Sequence, residues 1–132
     1  MELTQDTTAR ARLSVTIANG AAVSGDIYAS SPDARARGFR FLMLDLPSAW
    51  TAADIGFEYS LDGTTWKPCH DKTGTRIKIT GVATAEARGQ VAPAEIAAYG
   101  MTPHLRLASL NTSTGANVNQ GGARTLVVGI GG

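Results

Sequence analysis

Apolar residues recur at every second position through several short runs of this chain, and that period admits few folds. In "RLSVTIA", Leu13, Val15 and Ile17 point one way while Arg12, Ser14 and Thr16 point the other. This is the pattern of a strand with one face on a core. "DIGFEYS" sends Ile55, Phe57 and Tyr59 inward, with Asp54, Gly56 and Glu58 outward. The same logic sets Ile77 and Ile79 in "RIKIT", Leu105 and Leu107 in "HLRLASL", and Leu126, Val128 and Ile130 in "TLVVGI". "GFRFLMLDL" differs, with Phe39, Phe41 and Met43 on one face and Leu42, Leu44 and Leu46 on the other. A strand apolar on both faces is either central in a sandwich or packed against another chain.

Between these runs sit Asn19-Gly20, Ser24-Gly25, Ser31-Pro32-Asp33, Asp62-Gly63, Thr73-Gly74 and Gly121-Gly122. Short strands punctuated by turn residues predict an all-β antiparallel sandwich, jelly-roll-like, in a single domain. Alternating long helices are missing, which argues against a parallel α/β sheet. One short connecting helix fits "QVAPAEIAAYGM", with Pro93 at its first position and Gly100 as a left-handed stop. Asn111 to Ala123 is polar and glycine-rich and predicts an exposed loop between the last two strands. Residues 1–10 have no apolar periodicity and predict a flexible arm, ordered only when it lies on something; residues 11–132 form the sandwich.

Charge narrows the function classes. Only 17% of the residues are charged and the formal net charge is +1. That is no electrostatic footprint for nucleic acid. The N-terminus lacks the basic and apolar regions of a signal peptide, and no apolar run approaches the ~20 residues that cross a bilayer. The expectation is a product made in a cytoplasm that leaves it, if at all, by a route other than secretion. A lone cysteine, Cys69, excludes an internal disulfide. "NTS" at Asn111 matches a glycosylation sequon without a secretion signal to give it meaning.

The segment "WTAADIGFEYSLDGTTWKPCHD", Trp50 to Asp71, carries the residues that most invite a chemical reading. Asp62-Gly63 supplies the positive φ of a tight hairpin. As a calcium ligand Asp62 lacks company, because Glu58 and Asp71 do not repeat at a loop-like spacing. Trp50 and Trp66 flank the hairpin, either as a stacking platform for sugars or bases or as stiff anchors closing a sandwich; the anchor reading is favoured. Cys69, His70 and Asp71 are neighbours in sequence, but neighbours on an extended strand point to opposite faces. A thiol nucleophile needs a base held against it, and only the distant His104 remains as a candidate. One cysteine and two histidines are too few for an ordinary zinc site. No phosphate-binding loop, Gly-x-Ser-x-Gly elbow or carboxylate pair appears. The chain is read as a non-enzyme without cofactor, metal or small-molecule substrate.

The order of features as a whole resembles a group of small tailed-bacteriophage virion proteins found among head genes. Their pattern is roughly Leu-x-x-Pro-x-x-Trp-Thr-x-Ala-x-Ile-x-Phe, then Ser-x-Asp-Gly-x-x-aromatic. A Leu-Arg-Leu strand and a Gln-x-x-x-Arg-x-Leu ending follow. The match uses Leu46, Pro47, Trp50, Thr51, Ala53, Ile55 and Phe57, then Ser60, Asp62, Gly63 and Trp66. It continues through Leu105, Arg106 and Leu107 to Gln120, Arg124 and Leu126, and spans Phe39 to Ile130. The Ser-x-Asp-Gly hairpin also resembles that of discoidin-like, galactose-binding sandwiches.

The resemblance implies a structural virion protein, most readily a decoration or cement subunit bound to the outside of the major capsid protein shell, often as a homotrimer. Its expected place is the capsid exterior, after synthesis in the bacterial host cytoplasm. The N-terminal arm, with Thr4, Gln5, Arg10 and Arg12, is the candidate capsid contact, adding a strand to a sheet edge of the shell. The alternative is a carbohydrate-binding module of a head spike or fibre, using Trp50, Asp62, Trp66 and Asn117 toward host glycans.

Overall fold

The computed structural model describes residues 10–29, 39–80 and 89–131. Thr4, Gln5 and the turn at 31–33 lie outside the described residues. The chain is an all-β sandwich of two antiparallel sheets. Among the described residues eight strands follow in order: β1 (Arg10–Ile17), β2 (Phe41–Asp45), β3 (Asp54–Ser60), β4 (Lys67–Pro68), β5 (Lys78–Ile79), β6 (Gln90–Val91), β7 (His104–Leu110) and β8 (Arg124–Gly131). A six-residue 3-10 helix, Ala94–Tyr99, joins β6 to β7.

The first sheet runs β1-β8-β2-β6. Its longest ladder pairs β1 with β8 along eight residues, from Arg10 opposite Gly131 to Ile17 opposite Arg124. In the second sheet β3 is central, with β7 on one edge and β4 and β5 end to end on the other. The 22–27 segment lines the far edge of β7: Ser24 N–H donates to Leu107 O, Ile27 N–H to Leu105 O, and Ser109 N–H to Ala22 O. The chain changes sheets from β2 to β3, β5 to β6, β6 to β7 and β7 to β8. The two sheets are therefore laced together by their connections.

The predicted alternation places the core. Leu13, Val15 and Ile17 of β1, Leu42 and Leu44 of β2, and Leu126, Val128 and Ile130 of β8 face inward from the first sheet. Ile55, Phe57, Leu105 and Leu107 meet them from the second. Each such side chain contributes about 1.5–3 kcal/mol on burial. Trp50 closes this core at 8% exposure. Its indole Nε1 is buried without a hydrogen-bond partner among the described residues.

Three local expectations need correction. Arg10, assigned to the arm, is the first residue of β1 and pairs with Gly131. Gly100 is not a left-handed stop, since its φ is −64°. Glycine is needed there because a Cβ would lie 2.5 Å from the Phe39 carbonyl oxygen and 2.9 Å from its nitrogen. The Asp62-Gly63 bend is wider than a two-residue hairpin: the first pair across it is Tyr59 with Lys67, although Gly63 does take φ +83°.

Candidate functional site

The 50–71 segment does not converge on a catalytic centre. Cys69 is fully buried in the core, and desolvation pushes its thiol up to about 12, Arg76 opposing and Glu58 adding to the shift. His70 is exposed, and its backbone N–H and carbonyl exchange hydrogen bonds with the Tyr99 hydroxyl at 3.1 and 2.8 Å. Asp71 folds back on its own turn. Its Oδ1 accepts from the Thr73 hydroxyl at 2.6 Å and from the backbone N–H groups of Thr73 and Thr75. Those bonds, the Thr73 hydroxyl first, hold its carboxyl below the usual range. A groove of about 680 Å³ does run between this turn and the 3-10 helix. Within it, Asp71 Oδ1 and the Tyr99 hydroxyl are already engaged in holding the chain together.

Asp62 is engaged in the same way. Its Oδ1 accepts from Thr65 N–H at 2.7 Å, Thr64 N–H at 2.8 Å and the Ser60 hydroxyl at 3.0 Å. Those donors, Thr65 first, hold its carboxyl far below the ordinary value. Among the described residues no three of His, Cys, Asp and Glu gather to hold a metal ion.

The outer face of the second sheet carries a connected set of charges. Arg106 donates from Nε to Glu58 Oε1 at 2.8 Å, with its Nη2 at 2.7 Å from the same oxygen, and Arg76 Nη2 approaches Glu58 Oε2 at 3.8 Å. Lys78 pairs with Asp54 at 3.2 Å. His104 Nδ1 sits 2.7 Å from Asp26 Oδ2; a carboxylate only accepts, so that nitrogen carries the proton. Trp66 lies on this outer face, outside the core, with the Arg106 guanidinium 4.3 Å above its ring. The expectation that both tryptophans wedge the sheets holds for Trp50 alone. Trp66 shares a face with Pro68, which pairs with the outward-pointing Glu58.

The glycan-binding candidates are not brought together. Trp50 is buried, and Asn117 bridges to Leu110 at the β3 end marked by Asp54. Asp62 and Trp66 flank the opposite end, near Ser60 and His104. Six strand steps, about 20 Å, separate those ends.

Among the described residues, the outer face of the first sheet has no internal layer over it. Its rows follow from register. Arg10 of β1, Gly131 of β8 and Phe41 of β2 form one row; Arg12, Gly129, Met43 and Val91 form the next; Ser14, Val127 and Asp45 form a third. Phe41 is 68% exposed, Met43 44% and Val91 73%. Glycines on β8 leave a trough of about 430 Å³ between Arg10 of β1 and the apolar side chains of β2 and β6. Of the alternatives for "GFRFLMLDL", coverage by a second layer of the chain does not hold among the described residues for Phe41 and Met43. Single exposed apolar residues are ordinary; here Phe41, Met43 and Val91 lie in adjoining rows of one sheet face.

Arg10, a candidate as part of an arm, lines this trough, and Arg12 stands on the same face of β1 opposite Gly129. Val91, Gly129 and Gly131 were not candidates. Val91 sits in a segment whose proline suggests a helix start, and glycine carries no side chain for the alternation to place. Gln120 was also missed as a structural residue. It is 1% exposed within the polar loop and bonds Thr51, Ser109 and Arg124. No family model matches the chain, and no curated protein and no solved structure matches it.

Proposed function

We propose that this chain is a structural protein of a tailed-phage particle, a decoration or cement subunit that binds the outside of the major capsid protein shell. The observation that carries the reading is the uncovered Phe41–Met43–Val91 face of a rigid sheet. A cement subunit needs a stiff platform and an adhesive surface rather than titratable machinery. The β1–β8 ladder supplies the stiffness, and the apolar face supplies desolvation energy of about 25 cal/mol per Å² covered. The resemblance across Phe39 to Ile130 supports the choice of a phage head over other assemblies, and assembly as a homotrimer belongs to the same reading. The glycan-binding alternative has no comparable support, because Trp50 is buried in the core and Asn117 lies at the opposite end of the second sheet from Asp62 and Trp66.

The test is the composition of purified particles. A decoration protein is present in numbers comparable to the shell subunits, and a reconstruction places it on the outer surface. Absence from the particle, or presence only at a vertex or tail in a few copies, overturns the reading.

A further inference from the structure

The geometry points to an extended acidic–apolar peptide segment as the occupant of the trough on the outer face of the β1-β8-β2-β6 sheet. The inference rests on the reading of that face as the docking surface and names the chemistry of what docks. Three observations carry it.

The first is size. A face of four strands, the longest of eight residues, measures at most about 19 Å by 26 Å, roughly 500 Å². Stable globular interfaces take roughly 800 Å² per partner. The face alone is too small to hold a second copy of this chain but suits a narrow segment. The trough itself is two strand spacings wide, about 10 Å, which accommodates one extended chain.

The second is shape. Gly129 and Gly131 alternate with inward-facing residues on β8, so the trough floor is bare backbone. Met43 leans into the space this leaves: a Cβ at Gly129 would lie 3.3 Å from Met43 Cγ, and one at Gly89 2.6 Å from Met43 Cε. Met43 thus covers Gly129, and a segment can approach the β8 backbone closely at Gly131, where a Cβ would meet only Arg10 Cγ at 4.0 Å.

The third is charge. Arg10 lines one side and Arg12 stands two residues further along β1 on the same face, both exposed and neither paired with a carboxylate among the described residues; Phe41, Met43 and Val91 line the other side. Asp45, the acid of this face, stands one row beyond Met43 on the apolar side. The arginines repeat every second residue, about 6.7 Å, the same-face repeat of an extended chain. A segment with carboxylates at alternate positions meets both arginines while its apolar side chains lie against Phe41 and Met43. A basic segment would meet like charge on the same side.

The test uses isotopically labelled protein and two capped pentapeptides, Glu-Val-Glu-Val-Glu and Lys-Val-Lys-Val-Lys, titrated at low salt while backbone amide shifts are followed. The glutamate peptide is expected to move the amides of Arg12, Val91, Gly129 and Gly131, and to bind about tenfold more tightly than the lysine peptide. The double variant Arg10→Glu/Arg12→Glu reverses that preference. Gly131→Val fills the floor and removes binding while the fold persists, since a Cβ there meets only Arg10 Cγ at 4.0 Å. Equal binding of both peptides to the trough, or no effect of the arginine reversal, overturns the acidic chemistry and leaves the docking face standing. Failure of both peptides to move these amides overturns the docking face as well.

Discussion

Gln120 and Thr51 hold each other through two hydrogen bonds: Thr51 N–H donates to Gln120 Oε1 at 2.8 Å, and Gln120 Nε2 donates to the Thr51 carbonyl at 3.1 Å. The same Nε2 donates to Ser109 Oγ at 2.9 Å, and Arg124 Nε donates to Gln120 Oε1 at 3.3 Å. One buried amide thus ties the β2–β3 connection, β7 and the entry to β8. Gln120→Ala leaves those groups short of partners and is expected to cost about 3 kcal/mol. Gln120→Glu keeps the shape but cannot donate, and it destabilises too. Urea denaturation of both variants checks this; a cost within about 0.5 kcal/mol, ordinary for a surface loop residue, is the contrary outcome.

The two tryptophans are expected to respond differently to substitution. Trp50→Ala empties a core position and costs about 3–5 kcal/mol. Trp50→Phe is far milder, because it also removes the unpaired buried indole N–H. Trp66→Ala removes the ring beneath Arg106 from an outer face and costs only about 1 kcal/mol. Equilibrium unfolding of the three variants gives the order directly.

Cys69 is expected to resist alkylation at pH 8 in the folded protein and to react on unfolding. Its thiol is pushed up to about 12 by burial, against about 8.5 in the unfolded chain. Between those values the folded state binds more protons than the unfolded state, so stability falls as pH rises. Below about pH 8.5 this contribution is fully present. Cys69→Ala is expected to remove that alkaline slope, which urea midpoints from pH 8 to pH 11 measure.

Asp62 and Asp71 act at the acid end with the opposite sign. Backbone and hydroxyl donors lower both carboxyl groups in the folded state, Thr65 first for Asp62 and Thr73 first for Asp71. Their stabilisation is present above the ordinary carboxylate value, about 3.9, and is lost as pH falls through the lower folded values. The double variant Asp62→Asn/Asp71→Asn is expected to show a shallower loss of stability below pH 4.

The strand periodicity was readable because a buried face forces its period on the residues. Leu13, Val15 and Ile17 face the core where alternation places them. Strand β2 was ambiguous for a physical reason: both of its faces are apolar, and which one stays open depends on the glycines of β8 and the register of β6. Trp50 and Trp66 look equivalent in sequence, yet Trp66 is turned outward by its parity with Pro68 across the β3–β4 pairing, while Trp50 is buried from the β2–β3 connection. Gly100 is required by Phe39, far away in sequence, and Gln120 is buried by contacts with Thr51 and Ser109. Such demands arise only once distant segments meet.

The account turns on the outer face of the first sheet as the working surface. Phe41 and Val91 are 68% and 73% exposed, so Phe41→Lys/Val91→Lys should leave the unfolding midpoint within the range of surface substitutions. The decisive measurement is co-sedimentation of wild type and this variant with shells assembled from the major capsid protein of the same genome. Wild type is expected to pellet with the shells and the variant to remain in the supernatant; a folded variant that pellets as wild type does would contradict the account.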